Sequence, residues 1–114
     1  MNVRRILLSM VAAFVIAAAL AFLLLPATSA EEAGEKTYKA KCVSCHAADG
    51  TGSPIGKKLG AHDFHSPEVQ KMTDAELTEV IVKGKNKMPG YEKGLKADEI
   101  KSLVAYVRAL STKK

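Results

Sequence analysis

Cys42-Val43-Ser44-Cys45-His46 places two thiols three residues apart, with a histidine directly after the second. Residues three apart share a helix face, so both sulfurs can reach the two vinyl groups of one haem, the reading of a C-x-x-C-H attachment site. The histidine then offers its imidazole to the iron as proximal ligand. Two other readings of the pair compete with this one. A thioredoxin-like dithiol opens a helix within a βαβ unit, and no convincing strand pattern occurs here. A structural zinc site needs four ligands, for which only the loosely placed His62 and His65 remain. The residues therefore point to one covalent haem c, carried on Cys42 and Cys45 and ligated by His46.

The first 30 residues differ from the rest. Arg4 and Arg5 precede an apolar run from Ile6 to Leu25, broken only by Ser9, then Pro26 and Ala27-Thr28-Ser29-Ala30 before Glu31-Glu32. That order is a secretory signal peptide, with a positive start, an apolar centre and a small-residue cleavage site. The run of 20 residues exceeds the roughly 7–15 usual for such a centre and reaches the about 20 that span a bilayer. An uncleaved membrane anchor is therefore the alternative, while Pro26 and the small residues favour cleavage after Ala30. Either way residues 31–114 form one domain facing a periplasmic or other extracytoplasmic compartment. Arg4-Arg5 also invites a twin-arginine reading, but haem must be attached to accessible cysteines, which suits export of an unfolded chain.

Residues 31–114 carry all 12 acidic and 15 of the 17 basic residues, a net charge of about +3 without like-charged blocks. So weak and scattered a balance argues against nucleic-acid binding. The domain has no tryptophan and only Tyr38, Phe64, Tyr91 and Tyr106 as aromatics. Domains of this size often need a staple, and a buried haem would provide an apolar plate to pack against.

The pattern predicts an all-α fold. A first helix from about Glu32 to Cys45 puts Gly34, Tyr38, Cys42 and Cys45 on one face. Ala47 to His65 reads as a glycine-interrupted loop. Ser66-Pro67-Glu68 opens a short helix, and Thr73-Asp74-Ala75-Glu76 is a capping box with Met72 and Leu77 as its hydrophobic staple. That helix turns Leu77, Val80 and Ile81 inward and stops near Gly84. The last runs from about Ala97 to Leu110, with Ile100, Leu103, Val104, Val107 and Leu110 as its stripe. Lys96 stands where a capping residue belongs, and Asp98 and Glu99 compensate through the helix dipole.

For the second axial position the candidates are Met72, Met88, His62 and His65. Met88 sits in a loop between two helices where Pro89 stiffens the chain, whereas Met72 already serves as the staple. A histidine–methionine pair raises the reduction potential and leaves no axial vacancy, which suits electron transfer.

From Glu32 to Leu110 the chain resembles the short bacterial class I monohaem cytochromes c. The likeness rests on Cys42-x-x-Cys45-His46, the Met88-Pro89 loop and the terminal Leu103-Val104-Ala105-Tyr106-Val107. It implies three to four helices wrapped around one haem, with Gly34 and Tyr38 meeting Leu103 and Tyr106. It also implies a proline carbonyl accepting from the proximal histidine, for which Pro54 is the nearest match. The tryptophan that serves a haem propionate in many relatives is missing. The implied role is a monomeric electron carrier between redox protein partners, and not an enzyme. The alternatives are a membrane-held subunit of a larger redox complex and, more remotely, a haem enzyme or gas sensor. Lys39, Lys41, Lys57, Lys58, Lys85 and Lys87 would steer the carrier to an acidic docking face.

Overall fold

The computed structural model describes residues 2–23 and 27–113, and the side chains of these except 20–23 and 27–28. Leu24 and Leu25, which end the apolar run, and Pro26 after them lie outside the described residues. The regular elements are all helical: α1 (Val3–Leu23), α2 (Ala27–Lys41), α3 (Val43–His46), α4 (Pro54–Lys58), α5 (Pro67–Lys71), α6 (Asp74–Lys83) and α7 (Ala97–Thr112). The described side chains of α1 are exposed. Among the described residues, no helix is long and apolar enough to cross a membrane.

The all-α expectation holds: among the described residues, the globular part has three longer helices and three single turns, and single turns are too short for a hydrophobic period to register. The first helix does not run unbroken to Cys45; it ends at Lys41, and Cys42 (φ −117°) starts a separate turn. Within the expected loop, Ser53 caps α4 by accepting from the Gly56 amide at 3.0 Å, and Pro54 takes the first helical position. The same serine–proline device opens α5, as read. α7 continues one half-turn past Leu110 to Thr112.

Local chemistry explains the longer helices. Glu35–Lys39 and Glu79–Lys83 pair at i,i+4 on α2 and α6, at 2.6 and 2.9 Å, the favourable orientation for a helix. The capping box of α6 is complete: Thr73 accepts from the Glu76 amide at 3.2 Å, and Glu76 accepts from the Thr73 amide at 2.7 Å. At Lys96 only half a box forms, because an ammonium has no lone pair to offer. Glu99 accepts from the Lys96 amide at 2.8 Å, and the lysine side chain caps nothing.

The core lies where α2 crosses α7. Tyr38 and Leu103 are each 1 % exposed, and Ile100, Val104, Tyr106, Val107 and Leu110 are buried around them. The crossing depends on Gly34. A Cβ there would lie 2.2 Å from the Ser102 carbonyl oxygen and 2.9 Å from Tyr106 Cβ. Tyr106 then tilts against Tyr38 with ring centroids 5.3 Å apart. α6 adds Leu77 and Ile81 to this core, and its start is tied to α7 by Arg108, which donates to Asp74 at 2.8 Å and to the Met72 carbonyl.

The loop before α5 is tied to the C-terminus of α7. Gln70 donates to the Phe64 and Ser111 carbonyls at 3.0 and 3.1 Å. His65 stands 2.8 Å from Asp63 Oδ1 through Nδ1 and 2.9 Å from the Lys113 carbonyl through Nε2. Both partners accept, so only the imidazolium satisfies both contacts. The Asp63 carboxylate raises the His65 pKa above its ordinary 6.5, against partial burial.

Two tests follow from this packing. Gly34→Val should cost about 3 kcal/mol or more, the upper end of overpacking effects, because a backbone carbonyl blocks the new side chain; an unchanged denaturation midpoint would remove the crossing. A raised folded-state pKa adds stability that is fully present below about 6.5 and lost as pH rises through the folded value. The thermal midpoint should therefore drop over that interval, and the drop should shrink in His65→Gln. Parallel curves for the two proteins would exclude the His65 clasp as its cause.

Candidate haem-binding site

A helical turn ending at His46 leaves its last carbonyls without partners in the helix. Residues 52 and 53 supply them. Gly52 and Ser53 amides donate to the His46 and Cys45 carbonyls, each at 2.9 Å, and the Ser53 hydroxyl donates to the Ser44 carbonyl at 2.7 Å. α4 then lies directly against α3: a Cβ on Gly56 would stand 1.8 Å from the Cys45 carbonyl oxygen. Only glycine allows this approach. Chain reversal after His46 puts Ala47 at φ 61°, ψ 168°, a region costing of order 1–3 kcal/mol for a residue with a Cβ. The buried Tyr38 hydroxyl holds it there, donating to the Ala47 carbonyl at 2.6 Å.

Against this clamp opens a largely apolar cavity. Cys42, Cys45 and His46 line it from the α2–α3 junction, Met88 from the loop after α6, and Leu103 and Val107 from α7. Sequence-distant residues thus converge on one space. The cysteines are free and partly buried. Burial, reinforced by the neighbouring Cys45, pushes the Cys42 thiol up to about 11. It is thus protonated at neutral pH, unlike the depressed thiols of dithiol oxidoreductases. Burial lowers the His46 pKa, favouring the neutral imidazole that metal ligation requires. No cluster of three or more His, Cys, Asp or Glu side chains among the described residues could hold a metal ion by itself.

Met88 is held by its backbone. It exchanges two hydrogen bonds with Lys85, at 2.9 and 3.1 Å, across a turn in which Asn86 adopts φ 53°, a conformation asparagine tolerates. Tyr91 anchors the other side of the loop. Its amide donates to the Ile81 carbonyl at 2.9 Å and its hydroxyl to the Lys41 carbonyl at 3.2 Å, next to Cys42. Of the other axial candidates, Met72 and His62 also line the cavity, whereas His65 is engaged in the clasp described above.

His46 Nδ1 is buried and makes no hydrogen bond to a described residue, the expected Pro54 carbonyl included. Pro54 is exposed and serves as the first residue of α4. Two contributors went unread in the sequence. Gly56 lies within the stretch that reads as a glycine-interrupted loop, although the Ser53-Pro54 start just before it marks a helix. Phe64, counted only as an aromatic, packs its ring 4.8 Å from the His46 imidazole; no local pattern announces that contact.

The cavity fits a haem by the groups that line it: two thiols for the vinyl groups, and an imidazole and a thioether that suit haem iron, among apolar walls. Comparison with known proteins agrees. A protein-family model described as "Cytochrome C oxidase, cbb3-type, subunit III" matches residues 29–107. The chain is 34% identical over 84 residues to "Cytochrome c6" of Nostoc sp., covering 72% of this chain and 73% of that protein. It is 32% identical over 88 residues to "Cytochrome c-555" of Methylococcus capsulatus, covering 75% and 67% respectively. Among solved structures, the "KustC0563 c-type cytochrome" superposes with a TM-score of 0.66 at 34% identity, over 69% of this chain and 98% of that one. The chain binds haem c and belongs to the cytochrome c family, among its small class I members.

Proposed function

We propose that Cys42 and Cys45 carry the haem as thioethers, that His46 and Met88 are its two axial ligands, and that the protein is a single-electron carrier working outside the cytoplasm. One observation carries the ligand assignment: Met88, 42 positions beyond His46 in sequence, lines the same cavity as the C-x-x-C-H turn. Bound haem supplies one reversible electron between ferric and ferrous iron. The chain's own residues do the rest. The Ser53 and Gly56 clamp holds His46 at the cavity wall, and the Lys85–Met88 turn and Tyr91 hold the thioether opposite its loop. Apolar walls from Leu77, Ile81, Leu103 and Val107 keep water from the centre and favour the less charged ferrous state. With His46 and Met88 both holding the iron, a bound haem would offer no open position to a substrate or gas, which favours a carrier over an enzyme.

Lys41, Lys85 and Lys87 line the cavity and are exposed, so a partner would meet positive charge there. This favours redox proteins with an acidic docking face. The leader reading extends the proposal to removal of residues 1–30 and residence of residues 31–114 in the periplasm.

The ferric holoprotein should show the weak near-infrared sulfur-to-iron band, and Met88→Ala should lose it; its persistence in the variant would retire Met88. The intact mass of the same preparation should equal residues 31–114 plus one haem, while retention of the first 30 residues would favour the membrane-held alternative. Association with an acidic redox partner should slow as ionic strength rises, because screening shortens the reach of the lysines; a rate indifferent to salt would remove steering.

A further inference from the structure

A thioether is a weak ligand for ferric iron, because the soft sulfur prefers the reduced metal. Whether Met88 stays on the iron then depends on how firmly its loop is held. Much of that hold comes from the end of α6. The Tyr91 and Glu92 amides donate to the Ile81 and Val82 carbonyls at 2.9 and 3.1 Å, and a Cβ on Gly90 would lie 2.6 Å from the Val82 carbonyl oxygen. The methionine loop therefore moves with α6, whereas Cys42, Cys45 and His46 follow the end of α2 and the α3 turn.

One hydrogen bond among the described residues joins these two segments. The Tyr91 hydroxyl donates to the Lys41 carbonyl at 3.2 Å, across 50 positions of sequence. Lys41 is the last residue of α2 and immediately precedes Cys42. The base of Tyr91 is fixed for this reach: its amide is bonded to Ile81, and its carbonyl accepts from the Gly94 and Leu95 amides at 3.1 and 3.0 Å. Its ring packs against the core and lines the same cavity as Cys42 and Met88. The side chain thus spans from the methionine loop to the cysteine turn.

We propose that Tyr91 is a positioning residue for Met88: its hydroxyl tethers the methionine loop to the residue before the first haem cysteine and limits how often the sulfur leaves the iron. This rests on Met88 being an axial ligand. The tether is made while the loop is closed over the cavity and lost when the loop swings away. A small added ligand such as imidazole binds only the open form, so its apparent affinity follows the open fraction. Deleting the hydroxyl removes one hydrogen bond from the closed form alone, which raises that fraction about 2- to 10-fold.

The experiment titrates imidazole into the ferric holoprotein of wild type, Tyr91→Phe, Thr78→Val and Leu110→Ala, following loss of the sulfur-to-iron band. Tyr91→Phe keeps the ring, should show the band before imidazole is added, and should bind imidazole about 2- to 10-fold more tightly than wild type. Thr78→Val also deletes a hydroxyl bond, the one to the Asp74 carbonyl at 2.7 Å in the first half of α6. Leu110→Ala removes a buried α7 side chain and should lower the melting temperature. Both of these should keep the wild-type affinity. An unchanged affinity in Tyr91→Phe, or an equal gain in either of the other two, would overturn the tether while leaving Met88 as the ligand. A wild-type protein without the band would overturn the Met88 ligation itself, and the tether with it.

Discussion

The carbonyls at the end of the Cys-x-x-Cys-His turn are the constraint around which the site is arranged. Helix ends must find partners for such groups, and here Gly52 and Ser53 take those of Ser44, Cys45 and His46. That contact brings α4 onto α3 so closely that only a glycine fits against the Cys45 carbonyl. It also forces the chain to reverse at Ala47 in a conformation that alanine tolerates poorly. The Tyr38 hydroxyl bonds to that residue while its ring fills the centre of the α2–α7 crossing. The haem-bearing turn and the main helix crossing are therefore one mechanical unit, sharing Tyr38.

The second half of the site is assembled differently. Met88 is supported by backbone hydrogen bonds to Lys85, and Tyr91 ties the far end of its loop to the ends of α6 and α2. Met88, Tyr91 and Leu95 pack against the core while only partly buried, so the loop's geometry also depends on the helices it spans. Met88 thus enters the cavity from a tethered loop, whereas His46 ends a turn clamped by α4.

Much of the architecture was legible in the sequence wherever the information is local. The capping box at Thr73 and Glu76, the Ser66-Pro67 start and the apolar stripe of α7 all formed as read. Each depends on residues within a turn or two of one another. The glycine at position 34 was legible as a crossing point only through resemblance, because its partners Ser102 and Tyr106 lie on the far side of the chain. α4 was missed although Ser53-Pro54 has the same form as Ser66-Pro67. Gly50, Gly52 and Gly60 around it and Gly56 within it break the period that marks a helix.

The amino-acid sequence alone determined the attachment chemistry, the helix ends and the apolar faces, because thiol spacing, caps and periodicity act over a few residues. Tertiary structure decided which aromatic ring meets His46, and that α4 forms and packs against the cysteine turn. Those outcomes depend on distances between backbone segments that approach only after the chain has folded back. No pattern in neighbouring residues encodes such distances.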